Sequence, residues 1–384
     1  MTTTINNEQK KLNVPNLRFP EFQGEWEEHL LGNISDVTKL AGFEFTKYVT
    51  YEDTGSIIAI RGLNCKNGSL DLRDVKYIDN SDFSKLSRSK LYVGDILYTY
   101  VGTVGEVAVV DKNDKYYLAP NVSRIRLSKD YNSDFIKQLL SSKKFYNKIV
   151  FPLIATSSQP ALSMENLRRF KLRVPSIKEQ KKIASLFNAI DERIATQNKI
   201  IDKLQSLIKG IAQKIVRSNK PNVRLSECLE CNSSTLQESD VCEHGTYPVY
   251  GANGIVGYLN NYNTEGEAVY IIKDGSGVGT VSYVTGKCSA TGTLNTLQAK
   301  EGYLLQYLYY LLKVFNFEPY KTGMAIPHIY FKDYGKAKVF CPSYTEQLRY
   351  ARLLSAIDSE LSIEKNFLTS LSLQKQYLLR HMFI

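Results

Sequence analysis

The chain has 384 residues, with 49 Lys and Arg against 39 Asp and Glu, a formal charge of +10 and a pI near 9.0. At ~150 residues per domain it holds two or three domains, which excludes a disulfide mini-scaffold. A content of 43% hydrophobic and 23% charged residues excludes a disordered chain, no apolar run approaches the ~20 residues of a membrane-spanning helix, and the positive balance favours a polyanionic partner such as nucleic acid.

Residues 1–16 open with MTTTINNEQKKL, a polar leader without the apolar core of a secretory signal, so the chain is expected in the cytoplasm with its six cysteines reduced. Residues 17–174 are rich in Tyr, Val, Ile, Thr and Gly. Alternating runs such as GDILYTYVGTVGEVAVV at 94–110 predict strands broken by glycine turns, and DFIKQLLSSKKFYNKI at 134–149 predicts a helix. This is a mixed α/β globule.

At Pro175 the pattern changes to a helix start. Ser176 with Glu179 has the spacing of a capping box, and apolar residues follow at Ile183, Phe187, Ile190, Ile194, Ile201, Leu204, Ile208, Ile211 and Ile215, interrupted by Gln197. Residues 175–217 therefore predict one long helix with a heptad seam, about 60 Å long at 1.5 Å per residue. A second mixed α/β globule follows at 218–341, with strand runs such as GEAVYIIKDGSGVGTVSYV at 266–284 and a helical run at 302–316.

At Pro342 the helix start is written again, because PSYTEQLRYARLLSAID repeats PSIKEQKKIASLFNAID in register at a constant offset of 167. Ser343 and Glu346 repeat the cap. The seam recurs at Tyr350, Leu354, Ile357, Leu361, Leu368, Leu371, Leu378 and Met382, and its first interruption, Glu364, lies 167 residues after Gln197. A seam buries only a stripe, so each helix needs a partner along its length, and the other copy is the obvious one. The expected fold is α+β: two mixed α/β globules joined by two long antiparallel coiled-coil helices (175–217 and 342–384) in an internal pseudo-two-fold repeat.

No catalytic constellation accompanies this repeat. There is no G-x-x-x-x-G-K-S/T phosphate loop, no H-E-x-x-H and no Asn-Pro-Pro-aromatic tetrapeptide. GSGVGT at 275–280 lacks the third glycine of a dinucleotide fingerprint and reads as a strand connection. Glu179-Gln180-Lys181 has the spacing of a nuclease core without a preceding strand carboxylate. Cys228, Cys231, Cys242 and His244 are zinc-ligand types, but a single residue between the last two is tight, and they read as unpaired, with no metal expected. Candidate contacts to a nucleic-acid partner are polar and aromatic residues on loops: Arg61, Asn64, Lys66, Tyr98, Tyr100, Thr103, Ser157, Ser158 and Gln159 in the first globule. In the second they are Tyr250, Asn253, Lys273, Ser276, Thr291, Thr293, Asn295 and His328.

Together the opening VPNLRFPEFQGEWEEHLLGNISDV, YPVYGANGIVGYL, the SSQPALS and AIPHIYF closings and the two P-S-x-x-E-Q starts resemble the specificity subunits of type I restriction-modification systems over nearly the whole length. The resemblance implies two target-recognition domains, each reading half of a split sequence in double-stranded DNA. It implies helices that set the gap and dock two modification subunits, which methylate adenine N6. It also implies no catalysis and no cofactor in this chain: S-adenosylmethionine belongs to the modification subunits, and ATP and Mg to the restriction subunits that translocate and cleave.

Overall fold

Strands form where the alternation lies, and the two copies form them in the same order. The computed structural model describes residues 13–66, 68–155, 159–323 and 325–384. The chain divides into two compact units, Met1–Thr196 with Thr369–Ile384, and Gln197–Leu368. In the first, β1 (Ser35–Lys39), β2 (Ile96–Thr99), β3 (Val107–Val109) and β4 (Val122–Leu127) make an antiparallel sheet in the order β1-β4-β2-β3. In the second, β5 (Leu229–Ser233), β6 (Ala268–Ile272), β7 (Val281–Val284) and β8 (Leu294–Ala299) repeat it as β5-β8-β6-β7.

A three-stranded sheet accompanies each. Ile58–Ile60 pairs antiparallel with Lys76–Tyr77 and parallel with Tyr116–Leu118; Tyr247–Gly251 pairs antiparallel with Gly254–Leu259 and parallel with Ser289–Ala290. A two-stranded ribbon ties the start of each globule to its end, Glu27–Leu30 with Lys171–Val174 and Val223–Arg224 with Lys338–Val339.

Strands β2 and β6 are buried on both faces, which is why they read as continuous apolar runs. Ile96 and Tyr98 face a core with Trp26, Phe135 and Phe170, while Leu97 faces another with Ile58, Ile60 and Tyr116. In the second unit Val269 and Ile271 face the core of Leu308 and Tyr334, and Tyr270 and Ile272 face the core of Ala290 and Leu294.

Each β2–β3 and β6–β7 turn needs one particular glycine. Gly105 has φ +100 and a Cβ there would lie 2.8 Å from the Tyr146 ring; Gly279 has φ +92 and its Cβ would lie 3.1 Å from Phe317. An aromatic side chain thus seals the same turn in both copies.

Four helices matter to the site: α1 (Ser133–Ser141), α2 (Ile177–Arg217), α3 (Leu305–Leu312) and α4 (Tyr344–Met382). The two long ones start within two residues of the expected prolines, but their caps differ from the expected box. Ser176 Oγ accepts from Glu179 N at 3.5 Å, yet the Glu179 carboxylate is turned away, held by the Arg18 guanidinium at 2.8 and 2.7 Å and by Trp26 Nε1 at 3.4 Å. Ser343 spends its hydroxyl on the Glu346 carboxylate at 3.0 Å.

The neighbouring glutamine is what both copies share. Gln180 Nε2 donates to the Pro175 carbonyl at 2.8 Å and its Oε1 accepts from Asn132 N at 2.9 Å, just before α1. Gln347 does the same with Pro342 at 2.9 Å and Leu304 N at 2.8 Å, just before α3. Both side chains are buried, so each glutamine satisfies a carbonyl of its own helix start and a backbone amide of the globule.

The seam residues Ile183, Phe187, Ile201, Leu354, Leu361 and Leu371 are buried, and Ile190, Ile194, Leu204, Ile357, Leu368 and Leu378 are half-buried. The seam packs on the globules as well as on the other helix. In the first unit Ile183 and Phe187 share a core with Trp26, Phe135, Leu378 and Met382; in the second Ile201, Leu204 and Ile208 share one with Leu354, Ile357, Leu361 and Leu368 as well as Tyr307 and Leu308. Direction is antiparallel: within the first unit Phe187 meets Phe383 (ring centroids 5.8 Å) while Asp191 pairs with Lys375 at 2.5 Å. In the second unit Gln197 Nε2 donates to the Glu364 carbonyl at 3.2 Å and to its carboxylate. The first interruptions of the two seams, repeat equivalents of each other, are therefore bonded together.

Candidate nucleic-acid interface

The glycine turns and the segments around Pro160 and Pro327 share one backbone frame. Gly102 N donates to the Pro160 carbonyl at 2.9 Å and Leu162 N to the Tyr100 carbonyl at 2.8 Å. In the second globule Gly275 N donates to Pro327 at 3.0 Å and Ile329 N to Lys273 at 2.9 Å. The two closings singled out in sequence, around Pro160 and Pro327, are thus the extended segments that brace these turns. Rigid turns of this kind can present side chains to base edges with little loss of freedom on binding.

In the first globule the frame borders a cleft of about 340 Å³ lined by Tyr51, Arg61, Leu63, Thr103, Asn121 and Gln159. Three of the expected residues, Arg61, Thr103 and Gln159, come together here. Arg61 is held by Asp74, its Nη2 donating to the carboxylate at 2.8 Å and to the carbonyl at 2.9 Å, while its Nε is buried without a hydrogen-bond partner among the described residues. Burial pushes the Tyr51 hydroxyl above its ordinary pKa, against the opposing pull of the Arg61 charge. Tyr100 is half-buried under Lys39, whose Nζ lies 5.3 Å from the ring centroid, and burial raises its pKa as well. Lys66 is exposed, 3.9 Å from Asp71.

In the second globule Lys273 and Ser276 lie on the turn and His328 on the bracing segment, where its Nδ1 is 2.6 Å from Asp274 Oδ1. Asn253 is exposed at a separate hairpin, Tyr250 is half-buried against Tyr270 with centroids 5.7 Å apart, and the Thr293 hydroxyl is 2.8 Å from that of Thr291.

Four expected residues are internal. Asn64 donates to the carbonyls of Asp71 and Asp74 at 2.9 and 2.7 Å and accepts from Arg61 N at 3.0 Å, so it shapes the loop that carries Arg61. Tyr98 is fully buried beside Phe170 because β2 has a core on both faces, and that burial pushes its pKa up. Thr291 is buried at the start of the turn before β8, and Asn295 spends its amide on the Tyr334 hydroxyl at 3.1 Å and its oxygen on Ser233 at 3.1 Å. Ser157 and Ser158 lie outside the described residues.

Sequence reasoning passed over Tyr51, Leu63, Asn121 and Asp274. Asn121 carried a signal, an Asn after Pro at a turn, and it adopts φ +73; the others come to the frame only through tertiary pairing. The cysteine set does not converge: Cys228 is buried and donates to the Arg224 carbonyl at 3.4 Å, whereas Cys242 is exposed. Among the described residues no three His, Cys, Asp or Glu side chains are grouped to hold a metal, and no helix is long and apolar enough to cross a membrane.

Comparison with known proteins places these features in one family. The profile of the type I restriction modification DNA specificity domain matches twice, at residues 23–206 and 218–372. The chain is 23% identical over 222 residues to the candidate MjaX specificity subunit of Methanocaldococcus jannaschii, covering 54% of this chain and 49% of that protein. It is 25% identical over 169 residues to the EcoKI specificity subunit of Escherichia coli, covering 41% and 36%. The chain thus aligns with half or less of the length of these two relatives. The crystal structure of the type I S subunit from Mycoplasma genitalium superposes with a TM-score of 0.67 at 18% identity, covering 97% of this chain and 99% of that one, so the fold is shared from end to end. Matched in both of its repeats, the chain belongs to the family of type I restriction-modification DNA specificity proteins.

Proposed function

We propose that the chain is the non-catalytic recognition subunit of a type I complex, in which each globule reads one half of an asymmetric bipartite duplex target. The long helices set the spacing and dock two modification subunits. In this reading those subunits bring S-adenosylmethionine and methylate adenine N6, restriction subunits bring ATP- and Mg-dependent cleavage, and the complex works in the cytoplasm. The domain limits are 17–174 and 218–341 for the readers and 175–217 and 342–384 for the spacers.

The observation that carries the reading is the duplicated frame: two globules with the same sheets in the same order, each bracing a glycine turn with a proline-led extended segment, carry different side chains on it. A duplicated scaffold with diversified turns suits the reading of two different half-sites. Phosphate contacts from a chain of charge +10 would supply affinity without sequence information.

Selection of bound duplexes from a random library by the complex with its modification subunit tests this. The expected product is one motif in two parts separated by unspecified bases. Enrichment of a contiguous motif, or displacement by RNA as effective as by duplex DNA, would refute it.

A further inference from the structure

Aligned by their hydrogen bonds, the two frames share Gly102 with Gly275 and Pro160 with Pro327 and differ at several side chains, among them one bridged pair. Val101 and Ala161 are antiparallel bridge partners in the first globule, and their counterparts in the second are Asp274 and His328, also bridge partners. One position thus carries an apolar pair in one globule and an ionisable pair in the other. His328 Nδ1 lies 2.6 Å from Asp274 Oδ1, both side chains are about one-third exposed, and Asp274 makes no other side-chain hydrogen bond among the described residues.

A carboxylate is a poor choice for a surface that approaches phosphates, since it accepts hydrogen bonds and donates none. In the major groove the donors that suit it are the exocyclic amino groups, N4 of cytosine and N6 of adenine. We propose that Asp274, oriented by His328, accepts from such an amino group, so that it determines a C or an A at one position of the second half-site. The imidazole fixes one carboxylate oxygen and leaves the other oxygen for the base. Val101 and Ala161 offer no acceptor, so the first half-site is under no such constraint from this position.

The inference rests on the DNA-reading role proposed above. The test uses the full chain in complex with its modification subunit, as wild type, D274A, D274N and, in the other globule, V101A. Methylation rates are measured on duplexes carrying each base in turn at every position of the motif selected by wild type. D274A is expected to lose discrimination roughly tenfold to hundredfold at one position of the second half-site, where wild type prefers C or A, with the first half-site unchanged. D274N keeps the shape and the bond to His328 and is expected to change preference at that same position, which preserves the test should the alanine variant fail to assemble. A duplex lacking only the amino group at that position is expected to slow wild type and leave D274A unaffected. Unchanged discrimination in both variants would overturn the proposal and mark the pair as a clasp of the frame. Absence of any split motif with wild type would instead overturn the reading on which it rests.

Discussion

Gly105 and Gly210 show how differently one residue type acts in this chain. Gly105 and its counterpart Gly279 hold φ of +100 and +92 against an aromatic ring, whereas Gly210 lies exposed within α2 with no atom near its Cβ position. G105A and G279A are expected to lower stability in urea by about 1–3 kcal/mol, and G210A to raise it by up to about 1 kcal/mol. The reverse order would refute this account of the turns. Gln180 and Gln347 are buried joints between helix start and globule, so Q180A leaves the Asn132 amide and the Pro175 carbonyl unpaired and is expected to cost about 2–3 kcal/mol. Urea melts of Q180A and Q347A that match wild type would contradict it. Residue roles were the least legible part of the sequence. The spacing of Ser176 and Glu179 signalled a helix start, but only the folded chain brings Arg18 onto Glu179 across 161 residues. Tyr98 stood next to a glycine turn in sequence, and its burial depends on a second core that alternation alone does not reveal.

At the scale of elements, the long helices were legible to within two residues because proline, serine and the seam all carry local information. Their packing was half legible. The seam announced a partner helix, and it also serves the globules, where Phe187 sits among Trp26, Phe135 and Phe383. Gln197 and Glu364 occupy equivalent places in the two copies, and within the second unit the antiparallel helices bring them into one hydrogen bond. If the helices act as a spacer, insertion of one heptad after Gln197 and another after Glu364 keeps the seam in phase and lengthens it by about 10 Å, roughly three base pairs. The motif read by the lengthened protein is expected to keep both halves and widen its gap. An unchanged gap would show that the helices do not measure it.

On the scale of the whole molecule, the duplication was the most legible feature, because the offset of 167 recurs in the helix starts, the seam and the closing prolines. The equal strand orders of the two main sheets were not, since strand pairing depends on contacts far apart in sequence. Nor was the pairing of Asp274 with His328, 54 residues apart. Modularity has a direct test: replacing residues 218–341 with the corresponding globule of a relative is expected to change one half of the motif and leave the other half and the gap intact. Changes in both halves would argue against independent readers.

Mapping N6-methyladenine across the genome of a methylation-free host that expresses this chain with its modification subunit shows whether one chain reads two half-sites for a methylating partner. One split motif, methylated on both strands, is expected. A purified complex of the two proteins that leaves the genome unmethylated, or methylates a contiguous motif, would contradict it.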